Sequence, residues 1–169
     1  EKVFVLDGGL RAWQAEGRPV EAGEASLRPA PVSHGFDPAL LRNVDDVRAL
    51  LASKAAQIVD ARAGPRFRGE VPEPREGLRS GHMPGARNVP FDSLLQADGR
   101  LKPAADLAPI FRQAGVDLDR PVVTTCGSGI TASVLALALA RLGRDRAAVY
   151  DGSWTEWGGR ADTPVVTGA

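Results

Sequence analysis

The chain has 169 residues, 43% of them hydrophobic and 25% charged, a composition typical of a globular domain. Twenty-one basic residues offset 21 acidic ones, so the basic footprint of a nucleic-acid binder is missing. No window holds the roughly 18 consecutive apolar residues of a membrane span, and no signal-peptide pattern opens the sequence.

Glu1 stands first rather than Met, and Val3–Leu6 already reads as a core strand closed by the turn Asp7-Gly8-Gly9. Sequence upstream of Glu1 is therefore expected, with room for a targeting segment. Leu10 to Glu16 reads as a brief helix with Leu10, Trp13 and Ala15 facing inward and Gly17 as its stop. From Arg18 to Pro38 no periodicity persists. Pro19, Pro29, Pro31 and Pro38 sit there among small residues, the pattern of a linker, in which His34 is expected to be solvated. The expectation is a domain tail over residues 1–24, a linker over 25–38 and the main domain over 39–169.

In the main domain Asn43 is placed to cap a helix running to about Ser53, with Asp45 and Asp46 in its first turn. Val44, Val47, Leu50 and Leu51 give that helix one apolar face. Gln57–Asp60 reads as a strand. Residues 62–85, rich in Arg, Gly, Pro and Glu, read as a long loop, and a loop of that length in a compact domain is usually functional or disordered. Ala86–Val89 is a second strand. Pro103 fits the first turn of a helix ending before Gly115, with Leu107, Ile110 and Phe111 on one side. Pro121–Thr125 is a strand, residues 129–142 a helix stopped by Gly143, and Ala148–Tyr150 a last strand before a Trp-rich turn. Alternating strands and helices predict an α/β fold with three layers, a mostly parallel central sheet covered by helices on both faces. Ligands of such sheets bind at the carboxyl ends of the strands, where Asp60, Cys126 and Asp151 fall. The segment Val149-Tyr150-Asp151-Gly152-Ser153-Trp154 also echoes Val5-Leu6-Asp7-Gly8-Gly9…Trp13, which suggests two copies of one domain type.

The most informative segment is Val122-Val123-Thr124-Thr125-Cys126-Gly127-Ser128-Gly129-Ile130-Thr131-Ala132-Ser133. It passes from strand through a tight glycine-containing loop into helix. Its glycines let successive N–H groups point at one centre, and the helix adds the positive end of its dipole. A cysteine there should have a lowered pKa and stand ready as the nucleophilic thiolate. The plain alternative is a small buried core cysteine; the strand–loop–helix setting outweighs it. Cys126 is the single cysteine, so no internal disulfide forms, and a reducing, cytoplasmic setting is expected.

The run from Cys126 to Ala132 resembles the active-site loop of the 3-mercaptopyruvate sulfurtransferases, a branch of the rhodanese family. Three further segments agree with it: Val59-Asp60-Ala61-Arg62…Arg66-Phe67-Arg68-Gly69, Gly81-His82-Met83-Pro84-Gly85-Ala86-Arg87-Asn88-Val89-Pro90-Phe91, and Tyr150-Asp151-Gly152-Ser153-Trp154-Thr155-Glu156-Trp157-Gly158. Order and spacing match over about residues 36–160. Val5–Leu10 with Trp13 resembles the end of the family's N-terminal domain. The resemblance implies a rhodanese-like fold and a catalytic rhodanese domain over 39–169. It implies sulfur transfer through a Cys126 persulfide, with Ser128 as a second catalytic group. Arg66 and Arg75 would bind the donor's carboxylate and carbonyl, while Gly127, Gly129, Ile130 and Thr131 would line the substrate site. Gly127 and Ser128 stand where thiosulfate-preferring rhodaneses carry a basic pair, which favours 3-mercaptopyruvate over thiosulfate. A serine–histidine–aspartate arrangement proposed for the family would match only its serine here, Ser128.

Asp60 and Glu73 resemble acids that brace the loop through ion pairs. Arg62, Arg68 and Arg79 are left with surface or secondary roles, His82 with a structural hydrogen bond, and Trp154 and Trp157 with packing. Ser128 is also a candidate helix N-cap. The implied partners are a small-molecule sulfur donor and a thiol acceptor, such as a small thiol or a thioredoxin-like protein, or cyanide. No nucleic acid, membrane, cofactor or metal is expected. Two other readings share the fold. Phosphatases and arsenate reductases need an arginine six residues after the cysteine, where Ala132 stands. An inactive or partner-dependent binding module would more often lack the cysteine.

Overall fold

The computed structural model describes residues 4–24 and 35–168. Five parallel strands form one sheet in the order β1-β5-β4-β2-β3, with β1 at Leu41–Arg42, β2 at Gln57–Asp60, β3 at Arg87–Asn88, β4 at Val122–Thr125 and β5 at Ala148–Tyr150. Parallel neighbours cannot be joined by a tight turn, so each connection crosses a face of the sheet. Helices α2 (Val44–Ser53), α4 (Ala104–Gln113) and α5 (Ala132–Arg141) lie within these connections.

Side chains alternate across a strand, and here the alternation separates two cores. Ile58 and Val123 join Val44 and Val47 of α2 with Tyr150, Trp154 and Trp157 on one face. Val59 and Val122 join Leu107 and Phe111 of α4 with Leu135 and Leu139 of α5 on the other. The expected three-layer arrangement is thus the observed one. Leu107, Phe111, Leu135 and Leu139 are fully buried, each worth about 1.5–3 kcal/mol of apolar burial. Helix α2 begins where its sequence says. The Asn43 side chain accepts from the Asp46 amide at 2.9 Å, and the Asp46 carboxylate accepts from the Asn43 amide at 3.0 Å, a reciprocal cap that satisfies two otherwise orphaned donors.

Several expectations are corrected. Of the anticipated strand Val3–Leu6, Val3 lies outside the described residues and Phe4, Val5 and Leu6 are 57–84% exposed and form no strand. A strand needs a neighbour for its backbone groups, and this segment instead docks beside residues 98–102. There the Asp7 carboxylate accepts from the Leu101 amide at 2.9 Å and Glu16 pairs with Arg100. The helix after it, α1 (Gly9–Ala15), buries Ala12, while Leu10 and Ala15 are exposed. Trp13 is half-buried, with its indole N–H donating to Pro19 O at 2.8 Å. Most of the expected linker, with His34, lies outside the described residues. The long loop 62–85 carries a short helix, α3 (Gly64–Phe67). The Trp-rich turn is a helix as well, α6 (Ser153–Trp157).

Candidate active site

The carboxyl ends of β2, β4 and β5 converge on one cavity of about 310 Å³, lined by Arg66, Glu73, Pro74, Arg75, Leu78, Cys126, Gly127, Ser128, Ile130, Thr131 and Thr155. Cys126 follows directly on β4 and lies at the floor, 1% exposed. The chain reaches Ala132 before α5 begins, three residues later than its sequence suggests. Gly129 explains the delay, because its φ of +86° is left-handed and cannot continue a right-handed helix. Residues 126–131 are thereby free to curl around the sulfur. Burial alone would push the Cys126 thiol up. The Thr131 hydroxyl and the amides of Ser128, Ala132 and Thr131 act against that, and together they bring it below the ordinary thiol range. The convergence of amides expected from the sequence is therefore present, and Thr131 adds a hydroxyl to it.

Side chains from the loop after β2 supply charge. Arg62 is 2% exposed, fixed to Asp60 through both carboxylate oxygens and stacked 4.1 Å over the Trp154 ring. Glu73, with its side chain 1% exposed, accepts from Arg62 Nη1 at 2.9 Å and from Arg66 Nη2 at 2.5 Å. Charges thus alternate from Asp60 through Arg62 and Glu73 to Arg66, which is the arrangement that makes buried ions tolerable. Arg66 lies at the cavity end of this chain, its Nη2 3.3 Å from where a Cβ on Gly127 would stand. Asp60 and Glu73 brace the loop as expected, and of the surface or secondary role left open for Arg62 it is the secondary one, a buried member of the brace. Arg75 is exposed and donates to Thr155 Oγ1 at 2.6 Å. No described carboxylate forms a salt bridge with it.

The third contribution comes from α6, whose segment carries part of the resemblance while no role for Ser153 or Thr155 is legible in the sequence. Ser153 Oγ accepts from the Cys126 amide at 3.1 Å and donates to Tyr150 O at 2.8 Å. The Trp154 and Thr155 amides donate to the carbonyls of Cys126 and Gly127, both at 2.9 Å. Thr155 Oγ1 donates again to Gly127 O at 2.6 Å. These bonds engage both carbonyls at the start of the loop and tie it to α6.

Of the residues singled out beforehand, Cys126, Gly127, Ser128, Ile130, Thr131, Arg66 and Arg75 all line the cavity. Gly129 does not. It packs behind the wall, where a Cβ would come 2.9 Å from Asp151 O, so it shapes the loop without lining the site. Ser128 is not the helix cap, since Thr131 holds that position and no side chain caps α5. Ile130 stands 75% exposed at the rim. His82 is buried, stacked on Phe67 at 3.8 Å, with Nδ1 2.8 Å from Phe67 O, a structural histidine as expected. Trp154 and Trp157 are fully buried, with their indole N–H groups on Arg79 O and Pro164 O. Arg79 donates to the carbonyls of Trp157, Gly158, Arg160 and Thr163, so it clamps the C-terminal segment.

The family described as "Rhodanese-like domain" matches residues 43–160. The chain is 46% identical over 165 residues to the 3-mercaptopyruvate sulfurtransferase of Escherichia coli, covering 98% of this chain and 58% of that protein. It is 39% identical over 186 residues to the mitochondrial thiosulfate/3-mercaptopyruvate sulfurtransferase 1 of Arabidopsis thaliana, covering 98% of this chain and 49% of that one. Among solved structures, SseA from Escherichia coli, described as a 3-mercaptopyruvate sulfotransferase with the rhodanese fold, superposes with a TM-score of 0.77 at 42% identity. That superposition covers 91% of this chain and 57% of SseA. The chain thus spans about half the length of the curated relatives it matches.

Proposed function

The chain belongs to the rhodanese-like domain family, and from that premise we propose that it is a sulfurtransferase that carries a sulfane sulfur on Cys126 as a persulfide. The observation that carries the reading is the ring of donors on Cys126. One hydroxyl and three amides bring the Cys126 thiol below its ordinary range at the floor of a cavity that has two arginines in its wall.

The proposed donor is 3-mercaptopyruvate, with thiosulfate as the second choice. Arg66 and Arg75 hold its carboxylate and carbonyl, for which paired guanidinium N–H groups are suited. The Cys126 thiolate attacks the donor's sulfur, so a sulfur–sulfur bond forms and the carbon–sulfur bond breaks. The electron pair of the broken bond goes to carbon as the enolate of pyruvate, which takes up the thiol's proton. The resulting persulfide anion keeps the same donors that held the thiolate. Ser128, which lines the cavity, donates to the developing negative charge in this reading. An acceptor thiolate, from a small thiol or a thioredoxin-like protein, then attacks the outer sulfur and releases Cys126 as thiolate.

We place this chemistry in the cytoplasm, because a free reactive thiol persists in a reducing compartment. Among the described residues no helix is long and apolar enough to cross a membrane. We also take residues 1–24 as the tail of a preceding domain of the same type, joined through a linker over 25–38. The exposed Phe4, Val5 and Leu6 and the local echo between Val5–Trp13 and Val149–Trp154 support that reading.

Intact-mass spectrometry after incubation with 3-mercaptopyruvate tests the function. The expected result is a gain of one sulfur, reversed by a thiol and absent in Cys126→Ser. Persistence of the gain in Cys126→Ser would overturn the assignment, as would its absence from the wild-type chain. Running thiosulfate in parallel decides the donor, and fractionation of cells tests the compartment.

A further inference from the structure

Thr155 lies outside the loop that carries the thiol and outside the loop that carries the arginines, yet it bonds to both. Its hydroxyl has one proton and accepting lone pairs, and the structure uses each side. The proton goes to Gly127 O at 2.6 Å, and a lone pair accepts from Arg75 Nη1 at 2.6 Å. The Thr155 amide also donates to Gly127 O, at 2.9 Å. Residues 75 and 155 are far apart in sequence, and α6 is held in place by the fully buried Trp154 and Trp157.

Arg75 needs such a fixture. Its side chain is exposed, and no described carboxylate anchors it, whereas Arg66 is held by Glu73. An unanchored arginine carries rotamer freedom that binding must remove. One bond to a rigid hydroxyl removes part of that freedom in advance and leaves the other guanidinium N–H groups open toward the cavity that Arg75 lines. We infer that Thr155 is a positioning residue. It fixes Arg75 relative to the Gly127 peptide, and so sets how strongly the site prefers reagents bearing a carboxylate.

This inference rests on the proposed function for the role of Arg75, but it can be tested without sulfur transfer. Cys126 is the only cysteine, so alkylation of the full chain reports on this site alone. The ratio of the iodoacetate rate to the iodoacetamide rate cancels differences in thiolate content and measures carboxylate recognition. Thr155→Val removes the hydroxyl and keeps both the shape and the amide bond to Gly127 O. The ratio should fall by about tenfold in this variant, the lower end for one lost hydrogen bond to a charged group. Thr155→Ser should restore it. In an Arg75→Ala background Thr155→Val should lower the ratio no further, since the two act as a unit. An unchanged ratio in Thr155→Val overturns the inference, as does a full additional loss in the Arg75→Ala background. Failure of the wild-type chain to take up sulfur from 3-mercaptopyruvate strikes the proposed function instead, and the mass measurement reads that outcome separately.

Discussion

Glu73→Gln separates a buried brace from surface decoration. Glu73 accepts three hydrogen bonds from two guanidiniums, at 2.9 Å from Arg62 Nη1, 2.5 Å from Arg66 Nη2 and 3.3 Å from Arg66 Nε. Glutamine keeps the size and one acceptor oxygen. It loses the charge and turns an NH₂ group toward a cation. Removing one partner of a buried ion pair costs about 3–5 kcal/mol. Arg62 retains Asp60 and Gly81 O, and the Arg66 side chain is 28% exposed and partly hydrated, so the lower end, about 3 kcal/mol, applies. A chain of this length shifts its melting point by about 2–4 °C per kcal/mol, so calorimetry should show a fall of about 6–12 °C. Glu70→Gln is the control. Glu70 pairs with Arg68 at 2.6 Å, but both side chains are exposed, and solvent-screened pairs of this kind contribute little. A melting point for Glu73→Gln within about 2 °C of wild type, or equal losses for the two variants, would refute the reasoning.

Thr131→Val removes the hydroxyl that helps hold the Cys126 thiol below its ordinary range. The thiolate fraction grows as pH rises through the thiol pKa, so the pH profile of iodoacetamide alkylation should move to higher pH in the variant. A profile unchanged from wild type would show that the amides suffice. Tyr150, the single tyrosine, donates to Glu156 Oε2 at 2.7 Å, and burial with that neighbouring carboxylate raises its pKa far above the ordinary phenol value. A raised folded-state pKa contributes stability that is complete below the unfolded pKa of about 10 and declines as pH rises beyond it. Phenolate absorbance should therefore emerge only together with unfolding; emergence while the fold is intact would contradict the burial described here.

What the sequence revealed follows from the range over which its signals act. Alternation and caps are local, so the strands at 57–60, 122–125 and 148–150 and the helix after Asn43 were legible. The glycines around Cys126 were legible too, because a loop that curls N–H groups inward needs left-handed or unhindered backbone. Phe4–Leu6 misled, since an apolar run implies burial only where a partner surface exists. The helix start was placed at 129 because sequence does not show that Gly129 sits at positive φ against Asp151 O. Strand β1 has two residues, too few for a period. Ser153 and Thr155 were missed because their roles are hydrogen bonds to a segment about 27 residues away, and neither residue type announces such a bond.

The loop that carries the sulfur is stitched between the two slabs of the molecule. Cys126 and Ala132 pack with the α4–α5 slab, while the donors that hold the loop's carbonyls belong to α6 in the other. Neither slab by itself holds the loop. The environment of this one thiol therefore depends on contacts from both slabs.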